Sequence, residues 1–198
     1  MSSTSNPTDP ARRFWIAATS VAGGAGIVAT SVPFVTSMAP SERARALGAA
    51  VKVDIGSVKP GELQTVSWRG KPVWVLRRTP TMLDALRGHD GLLSDPHSDR
   101  REQQPDYARN DLRSVRPDIA VLVAICTHLG CVPTFRPEPG AADIGASWPG
   151  GFYCPCHGSK FDLAGRVFKN VPAPSNLEVP PHRYAGDSSL LIGGGPEA

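Results

Sequence analysis

The chain has 198 residues, 40% of them hydrophobic and 20% charged, and its formal net charge is +3 at pH 7. These values are ordinary for a globular protein, and so small a charge does not indicate nucleic-acid binding. The length leaves room for one sizeable folded domain beside a short terminal segment. The 20 glycines and 20 prolines favour a β-rich, turn-rich domain over a helical bundle.

The N-terminal region combines a polar leader with an uncharged apolar stretch. Residues 1–13 end in Arg12-Arg13, directly before Phe14, and this arrangement resembles a twin-arginine export signal. Residues 14–38 carry no charge and are long enough to cross a bilayer, whose core needs about 20 helical residues. The two arginines predict a cytoplasmic N-terminus and a folded domain on the opposite side of the membrane.

Two fates of the apolar stretch are open. Cleavage at Ser37-Met38-Ala39 would release a soluble protein, because small residues mark signal-peptide cleavage sites. Pro40 would follow such a cut, however, and the stretch is longer than the apolar part of a typical signal peptide, so a retained anchor is the favoured interpretation. Residues 39–50 then form a tether, in which residues 41–47 could make one or two helical turns ended by Gly48.

Residues 51–198 are predicted to form the folded domain. Apolar and β-branched segments separated by glycine-containing turns indicate strands. Within a polar, irregular stretch at 89–116 we interpret His89 and His97 as solvated side chains. The elements predicted ahead of the first cysteine are strands at 51–55, 63–68, 72–77 and 119–125, and a short helix at 81–87.

All four cysteines lie in two short loops. The first reads Cys126-Thr-His128-Leu-Gly-Cys131 and follows the continuous apolar strand at 119–125. The second reads Cys154-Pro-Cys156-His157-Gly-Ser159. A Pro/Gly-rich link at 132–151 joins the loops, and the later segments predict a turn at 162–165 and a final hairpin across 183–192.

Each loop offers one Cys and one His at close spacing, together with a further Cys. Two thiolates and two imidazoles that converge make a metal site. A structural zinc site usually pairs like ligands in sequence, as C-x(2–4)-C followed by H-x(3–5)-H, whereas here each loop mixes them. Two ordinary disulfides would leave both neighbouring histidines unexplained. The mixed pairs therefore favour a two-iron cluster with unlike ends.

The two loops resemble those of Rieske iron–sulfur proteins, in which two Cys hold one iron of a [2Fe–2S] cluster and two His hold the other. The resemblance implies that Cys126 and Cys154 bind the buried iron and that His128 and His157 bind the outer iron. It also implies a disulfide between Cys131 and Cys156, although spacing alone would allow either of these to bind metal. Ser159 corresponds to a family hydroxyl that bonds a bridging sulfide.

Three further features bear on the resemblance: the proline loop, the residue at position 161 and the docking tip. The sequence Val171-Pro172-Ala173-Pro174-Ser175-Asn176-Leu177 is similar to the family's proline loop, which covers the cluster, with Val171 in place of the usual Gly. Phe161 stands where high-potential members commonly carry a Tyr that bonds a ligand sulfur. The resemblance implies that the apolar docking tip, which shields the cluster, contains Leu129, Gly130, Pro172 and Pro174.

The disulfide-bearing form resembles the bacterial Rieske subunits of ubiquinol–cytochrome c reductase, the cytochrome bc complexes. This implies a mostly β fold, an antiparallel β-sandwich head with an inserted cluster-binding subdomain at about 120–177, behind an N-terminal transmembrane helix. The implied function is one-electron transfer, with a proton, from ubiquinol to a c-type cytochrome, and His157 would meet the quinol. The implied partners are cytochrome b, the c-type cytochrome and the membrane, within a dimeric complex, and residues 39–50 would be a hinge.

Two other classes of function remain open at this point. One is the Rieske small subunit of a periplasmic oxidoreductase such as arsenite oxidase, which shares the leader and the disulfide-bearing cluster but touches no quinol. Copurification with cytochrome b would separate that class from the first. The other is a structural metal-binding module, which a visible absorption spectrum with sulfide analysis would exclude.

Overall fold

The computed structural model describes residues 9–41 and 48–193. The chain divides into two compact units, Met1–Ala46 and Leu47–Ala198. The helical turns predicted at 41–47 fall outside the described residues, apart from Ser41, which is not helical.

The N-terminal unit contains one long helix, α1, over Pro10–Ser37. Asp9 caps this helix, because its carboxylate accepts a hydrogen bond from the Ala11 N–H at 3.0 Å. The 28 residues extend about 42 Å at 1.5 Å per residue, which exceeds the ~30 Å of a bilayer core. The hydroxyls of Thr19 and Thr30 donate back to helix carbonyls, so they need no water. In length and composition α1 fits a membrane span.

The second unit is built from three antiparallel three-stranded sheets, in the orders β1-β9-β8, β2-β3-β4 and β5-β6-β7. One short helix, α2, follows β3, and three single-turn 3₁₀ segments lie at 90–92, 101–103 and 106–108. The strands are β1 Val51–Asp54, β2 Leu63–Trp68, β3 Lys71–Arg77, β4 Ile119–Val123, β5 Thr134–Arg136, β6 Gly151–Cys154, β7 Ser159–Phe161, β8 His182–Tyr184 and β9 Ser189–Ile192, and α2 is Pro80–Ala85.

The central sheet, β2-β3-β4, is buried on both faces. On β3, Val73 and Val75 pack with residues of β1 and β9, whereas Trp74 and Leu76 point to the opposite face and join a second core that contains Cys126 and Cys154. Successive strand side chains alternate between faces, so burial on both sides requires the unbroken apolar run seen in β4. The mostly β architecture predicted from the sequence is confirmed. The third layer is the sheet β5-β6-β7, which carries the second cysteine loop.

The link between the two cysteine loops is more regular than the sequence suggests. Residues 134–136 form β5, which pairs with β6 through Thr134 opposite Tyr153 and Arg136 opposite Gly151. Pro133 and Pro137 flank these three residues, and so short a strand leaves no detectable alternation. Gly151 is required where β6 begins: its φ is +155°, and a Cβ there would lie 2.9 Å from the Asp162 Cα.

The prediction that His89 is solvated is wrong. Its side chain is only 10% exposed and its Nε2 lies 3.4 Å from Asp162 Oδ2, while its ring stacks on Phe168 with centroids 5.9 Å apart. His97 is 63% exposed, as predicted, beside Asp111. The stretch at 89–116 looked solvated because it is polar, yet its polar groups find buried partners far away in the sequence.

Asp162 and Arg166 form a buried ion pair directly after the second cysteine loop. Both side chains are 1% exposed, and Arg166 Nε donates to Asp162 Oδ2 at 2.7 Å. Burial acts to raise the pKa of Asp162, but the hydrogen bond from His89 and the charge of Arg166 outweigh it and hold that pKa below its ordinary value. A depressed carboxyl pKa stabilises the fold above the unfolded-state pKa of about 4 and loses that contribution as pH falls through the folded-state value.

We expect Asp162→Asn to cost about 3–5 kcal/mol of unfolding free energy at pH 7, because it leaves a buried guanidinium with one charged partner fewer. The variant should also show a flatter dependence of stability on pH below about 4. Denaturant titrations of the full chain in detergent at several pH values test both points. The control is Asp143→Asn, which breaks the exposed ion pair with Arg136 and should change stability little. Equal losses in the two variants would contradict the prediction.

Candidate metal centre

The two cysteine loops are brought together at the third sheet. The second loop is the connection of the β6–β7 hairpin, in which Cys154 pairs with Ser159. The first loop follows β4 and is closed at its base, since the Cys126 N–H donates to the Cys131 carbonyl at 2.7 Å. Cys126 and Cys154 belong to one buried core, so the packing of β4 on this hairpin sets the distance between the loops.

Both loops use the same backbone turn. In the first, the Gly130 N–H donates to the Cys126 carbonyl at 3.0 Å, and in the second the Gly158 N–H donates to the Cys154 carbonyl at 2.9 Å. The two glycines have φ of +85° and +77°, a left-handed conformation that glycine adopts without a Cβ penalty. In each loop, therefore, the first Cys lies on the inner side and the residues that follow it form a tight turn.

The donor atoms are sorted by depth. Cys126 and Cys154 are each 2% exposed and carry free thiols, whereas His128 is half-buried and His157 is exposed. The two imidazole rings lie close, with centroids 4.8 Å apart and planes at 88°. Burial raises the pKa of the Cys154 thiol, and the neighbouring Cys126 thiol raises it further. A pair of buried sulfurs and a pair of less buried imidazoles are a donor set that suits a cluster with one Cys-bound and one His-bound iron.

The remaining cysteines form the predicted disulfide, Cys131–Cys156. This bond decides what spacing left open, because it leaves Cys126 and Cys154 as the two thiols. The sulfur of Cys154 lies within 4.8 Å of both disulfide sulfurs, so the bridge joins the loops directly beside a ligand position.

We expect the double variant C131S/C156S to retain the four donor groups but to hold the cluster less firmly and at a lower reduction potential. A disulfide between residues 25 apart in sequence stabilises the folded state by about 3 kcal/mol, because it restricts the unfolded chain. The measurement is thermal loss of the cluster's visible absorption, followed by redox titration. If the double variant kept wild-type stability and potential, the bridge would have no role in holding the loops.

The proline loop, residues 171–177, is fastened to both cysteine loops. The Ala173 N–H donates to Ser159 Oγ at 3.1 Å, and Thr127 Oγ1 donates to the Ser175 carbonyl at 2.7 Å. Val171 does not have a positive φ, so a valine in place of glycine brings no backbone strain. Pro172 and Pro174 are exposed and Ala173 is buried, which gives the loop an apolar outer surface.

The surface around the first loop is apolar. Leu129 is 71% exposed, and Gly130 is also exposed. Val132, which the sequence analysis did not single out, is 53% exposed and adds to this surface. A single apolar residue after a loop cysteine is a weak sequence signal for an exposed surface. Only its position near Leu129 in the chain could have suggested that Val132 belongs to this surface.

Two side chains predicted to influence the cluster are fully buried. Ser159 accepts the Ala173 N–H, so its own hydroxyl proton remains available to an acceptor on the cluster side. Phe161 has no exposed surface, pairs across the hairpin with Phe152 and shares a core with Cys126 and Cys154. Its position in that core fits the predicted place beside the ligand sulfurs.

Comparisons with known proteins identify the family of the chain. A sequence profile of the Rieske [2Fe-2S] domain matches residues 100–181. The ubiquinol-cytochrome c reductase iron-sulfur subunit of Allochromatium vinosum is 58% identical over 182 residues, which are 92% of this chain and 87% of that protein. The chain belongs to the Rieske family of ubiquinol–cytochrome c reductase iron–sulfur subunits. Its cofactor is a Rieske [2Fe–2S] cluster, which removes the zinc and plain-disulfide alternatives.

More distant Rieske relatives cover the same length. The corresponding subunit of Blastochloris viridis is 39% identical over 185 residues, 93% of each chain. The mitochondrial Rieske subunit of the cytochrome b-c1 complex of Solanum tuberosum is 40% identical over 193 residues, 94% of this chain and 64% of that protein. Among solved structures, a chain of a hyperthermophilic respiratory Complex III aligns over 91% of this chain and 98% of its own length, with a TM-score of 0.47 and 27% identity.

Proposed function

We propose that this chain is the electron-transfer subunit of a bacterial cytochrome bc complex, which takes an electron and a proton from ubiquinol and passes the electron to a c-type cytochrome. The observation that carries the proposal is the presence of two buried thiols and of two imidazoles whose rings are adjacent, one half-buried and one exposed, in a chain 58% identical to a ubiquinol-cytochrome c reductase iron-sulfur subunit. The relatives favour this function over that of an arsenite-oxidase small subunit.

The ligand set determines the chemistry available. We assign Cys126 and Cys154 to the inner iron, and His128 and His157 to the outer iron. When bound, a cluster with two neutral imidazole ligands supplies a one-electron acceptor at about −150 to +300 mV, well above all-Cys plant-type clusters at about −400 mV. His157 is the more exposed imidazole. With one ring nitrogen bound to the outer iron, the other would have to be deprotonated to accept the quinol proton, and its uptake of that proton would couple proton transfer to electron transfer.

The surrounding residues position the substrate and exclude water. Leu129, Gly130, Pro172 and Pro174 border the loops with an exposed, mostly apolar surface. We assign this surface to docking on cytochrome b, where removal of apolar area from water favours contact. The Ser159 hydroxyl accepts a hydrogen bond from the proline loop, and its own proton would be available to donate to a bound cluster.

The same proposal places the chain in a membrane. We assign α1 to a single-pass anchor with a cytoplasmic N-terminus, the head to the periplasm, and residues 39–50 to the tether between them. The arginines ahead of the apolar stretch support this orientation, and a disulfide suits an oxidising compartment. Twin-arginine export carries folded proteins, which suits a cluster inserted before export.

We expect the mature chain to begin before Phe14 and to stay in the membrane fraction after carbonate washing, because a 28-residue helix that is apolar from Phe14 onward anchors it. N-terminal sequencing and immunoblotting of washed membranes are the measurements. The matched control is a variant with a cleavable signal peptide in place of residues 1–38, which the wash should release. Finding Pro40 as the natural mature N-terminus would overturn the anchor.

The experiment that tests the function is purification of the tagged full chain from membranes in mild detergent. We expect b-type and c-type haem absorption to copurify with the cluster signal, and added ubiquinol to reduce the c-type haem. A preparation that contained the cluster without either haem would count against the proposal.

A further inference from the structure

A single buried arginine connects the end of the proline loop to the turn that follows β7. Arg113 has no exposed surface, although it comes from the polar stretch at 89–116. Its backbone φ is +49°, a conformation uncommon for a residue with a Cβ, which persists only where the surrounding structure holds it. Both observations indicate a residue whose position is strongly determined by its contacts.

The guanidinium reaches three separate segments. Its Nη1 donates to the Leu177 carbonyl at 2.6 Å and lies 3.4 Å from the Ala164 and Gly165 carbonyls. Its Nη2 donates to the Gln103 carbonyl at 3.2 Å and to Gln104 Oε1 at 3.0 Å. Leu177 ends the proline loop, and Ala164–Gly165 is the turn after β7, so one side chain fixes both.

The hydrogen bonds that the Arg113 guanidinium donates go to uncharged oxygens. The charges of Asp162 and Asp95 also attract it, and its Nε has no hydrogen-bond partner among the described residues. Burial lowers its pKa to about 10, so it stays protonated near neutral pH. A buried cation is costly unless its donors are used. Here Nη1 is used by the proline loop and the neighbouring turn, and Nη2 by Gln103 and Gln104.

A short path leads from this arginine to the cluster site. The Leu177 N–H donates to the Gly165 carbonyl at 2.8 Å, so the end of the proline loop lies directly on the turn that Arg113 contacts. Within the loop, Ala173 donates to Ser159 Oγ. The orientation of the Ser159 hydroxyl therefore depends on where the proline loop sits.

We propose that Arg113 is a positioning residue for the redox site: its guanidinium holds the proline loop against the β7 turn, and the loop in turn orients the Ser159 hydroxyl toward the cluster. This inference rests on the proposed function, because it requires a cluster between the two loops. This role differs from that of a purely structural arginine, because loss of Arg113 should change the cluster's reduction potential as well as the stability of the protein.

A suitable control arginine is available on the central sheet. Arg77 donates to the Val58 carbonyl at 3.0 Å and lies opposite Ile119, at the end of β4 that is away from the first cysteine loop. Arg77→Gln thus removes a guanidinium–carbonyl hydrogen bond remote from the proline loop. It should lower thermal stability without changing the reduction potential.

The test is redox titration of the cluster in the intact complex, by circular dichroism, for wild type, R113Q, R113K, R77Q, S159A and R113Q/S159A. We expect R113Q to lower the equilibrium constant for reduction of the cluster roughly threefold to tenfold. This lowers the reduction potential by about 30–60 mV for one electron. R113K keeps the positive charge but loses the planar guanidinium, so the reduction potential of this variant should fall as well. If R113Q does not assemble into the complex, the potential of R113K tests the proposal. The double variant should match S159A alone, because both changes act through one hydroxyl.

Two results would overturn the proposal: wild-type potentials in R113Q and R113K, or additive losses in R113Q/S159A, which would mean that the arginine charge acts directly on the cluster. These are distinguishable from failure of the proposed function. A wild-type complex without any cluster signal would remove the function and this inference together, whereas a normal wild-type signal with an unchanged R113K potential removes the inference alone.

Discussion

Replacing His157 with alanine is expected to abolish the Rieske cluster signal entirely, and His128→Ala should do the same. The two rings lie 4.8 Å apart, and among the described residues His89, His97 and His182 are held elsewhere in hydrogen bonds. No neighbour can therefore supply the missing imidazole. The outer iron would lose one of its two protein ligands, and quinol oxidation by the complex should fall to background.

The measurement is electron paramagnetic resonance of the reduced complex, with iron and sulfide analysis. The matched control is His97→Ala, which removes an exposed imidazole bonded to Asp111 at 3.0 Å and should leave the spectrum unchanged. An unaltered Rieske-type signal in the His157→Ala variant would show that the ligand assignment is wrong.

Phe161→Tyr is expected to raise the reduction potential of the cluster. A hydrogen bond to a ligand sulfur withdraws electron density and stabilises the reduced state, and Phe161, which is fully buried in the core that contains Cys126 and Cys154, has no hydroxyl to make it. One hydrogen bond to a charged group is worth about 1.5–3 kcal/mol at most, which for one electron is at most roughly 65–130 mV. The natural phenylalanine thus implies a centre of lower potential than Tyr-bearing relatives.

Redox titration of wild type and F161Y by circular dichroism measures this shift. Phe152→Tyr is the matched control, because Phe152 is also fully buried and pairs with Phe161, but its ring stacks on Trp74 with centroids 4.6 Å apart. F152Y should lose stability without gaining potential, since a buried hydroxyl without a partner costs about 1–3 kcal/mol. An unchanged or lower midpoint in F161Y would mean that its hydroxyl does not reach a ligand sulfur.

The strands and turns were predictable because they depend on neighbouring residues. The strands predicted at 63–68 and 72–77 are present as β2 and β3, and they form a hairpin around Arg69-Gly70 with Trp68 opposite Lys71. The final hairpin of β8 and β9 is present as well. The strand β5 escaped prediction because three residues between prolines show no periodicity, and it becomes a strand only by pairing with β6.

The candidate site was predictable in part. The spacing within each loop identified Cys126, His128, Cys154 and His157 as possible donors, since a ligand pair two or three residues apart needs only a local turn. Which cysteines pair as a disulfide could be inferred from the family resemblance but not from spacing. The bond joins residues 25 apart, and only the packing of β4 against the β6–β7 hairpin brings them together.

The donor types, the apolar N-terminal helix and the β-rich character of the head follow from composition, periodicity and short spacing, which are local properties of the sequence. Which polar residues are buried depends instead on how distant segments meet in the folded protein. His89 meets Asp162 across 73 positions, and Arg113 meets Leu177 across 64. A charged side chain can leave water only where partners converge on it, and such partners come from chain segments whose meeting no local pattern records.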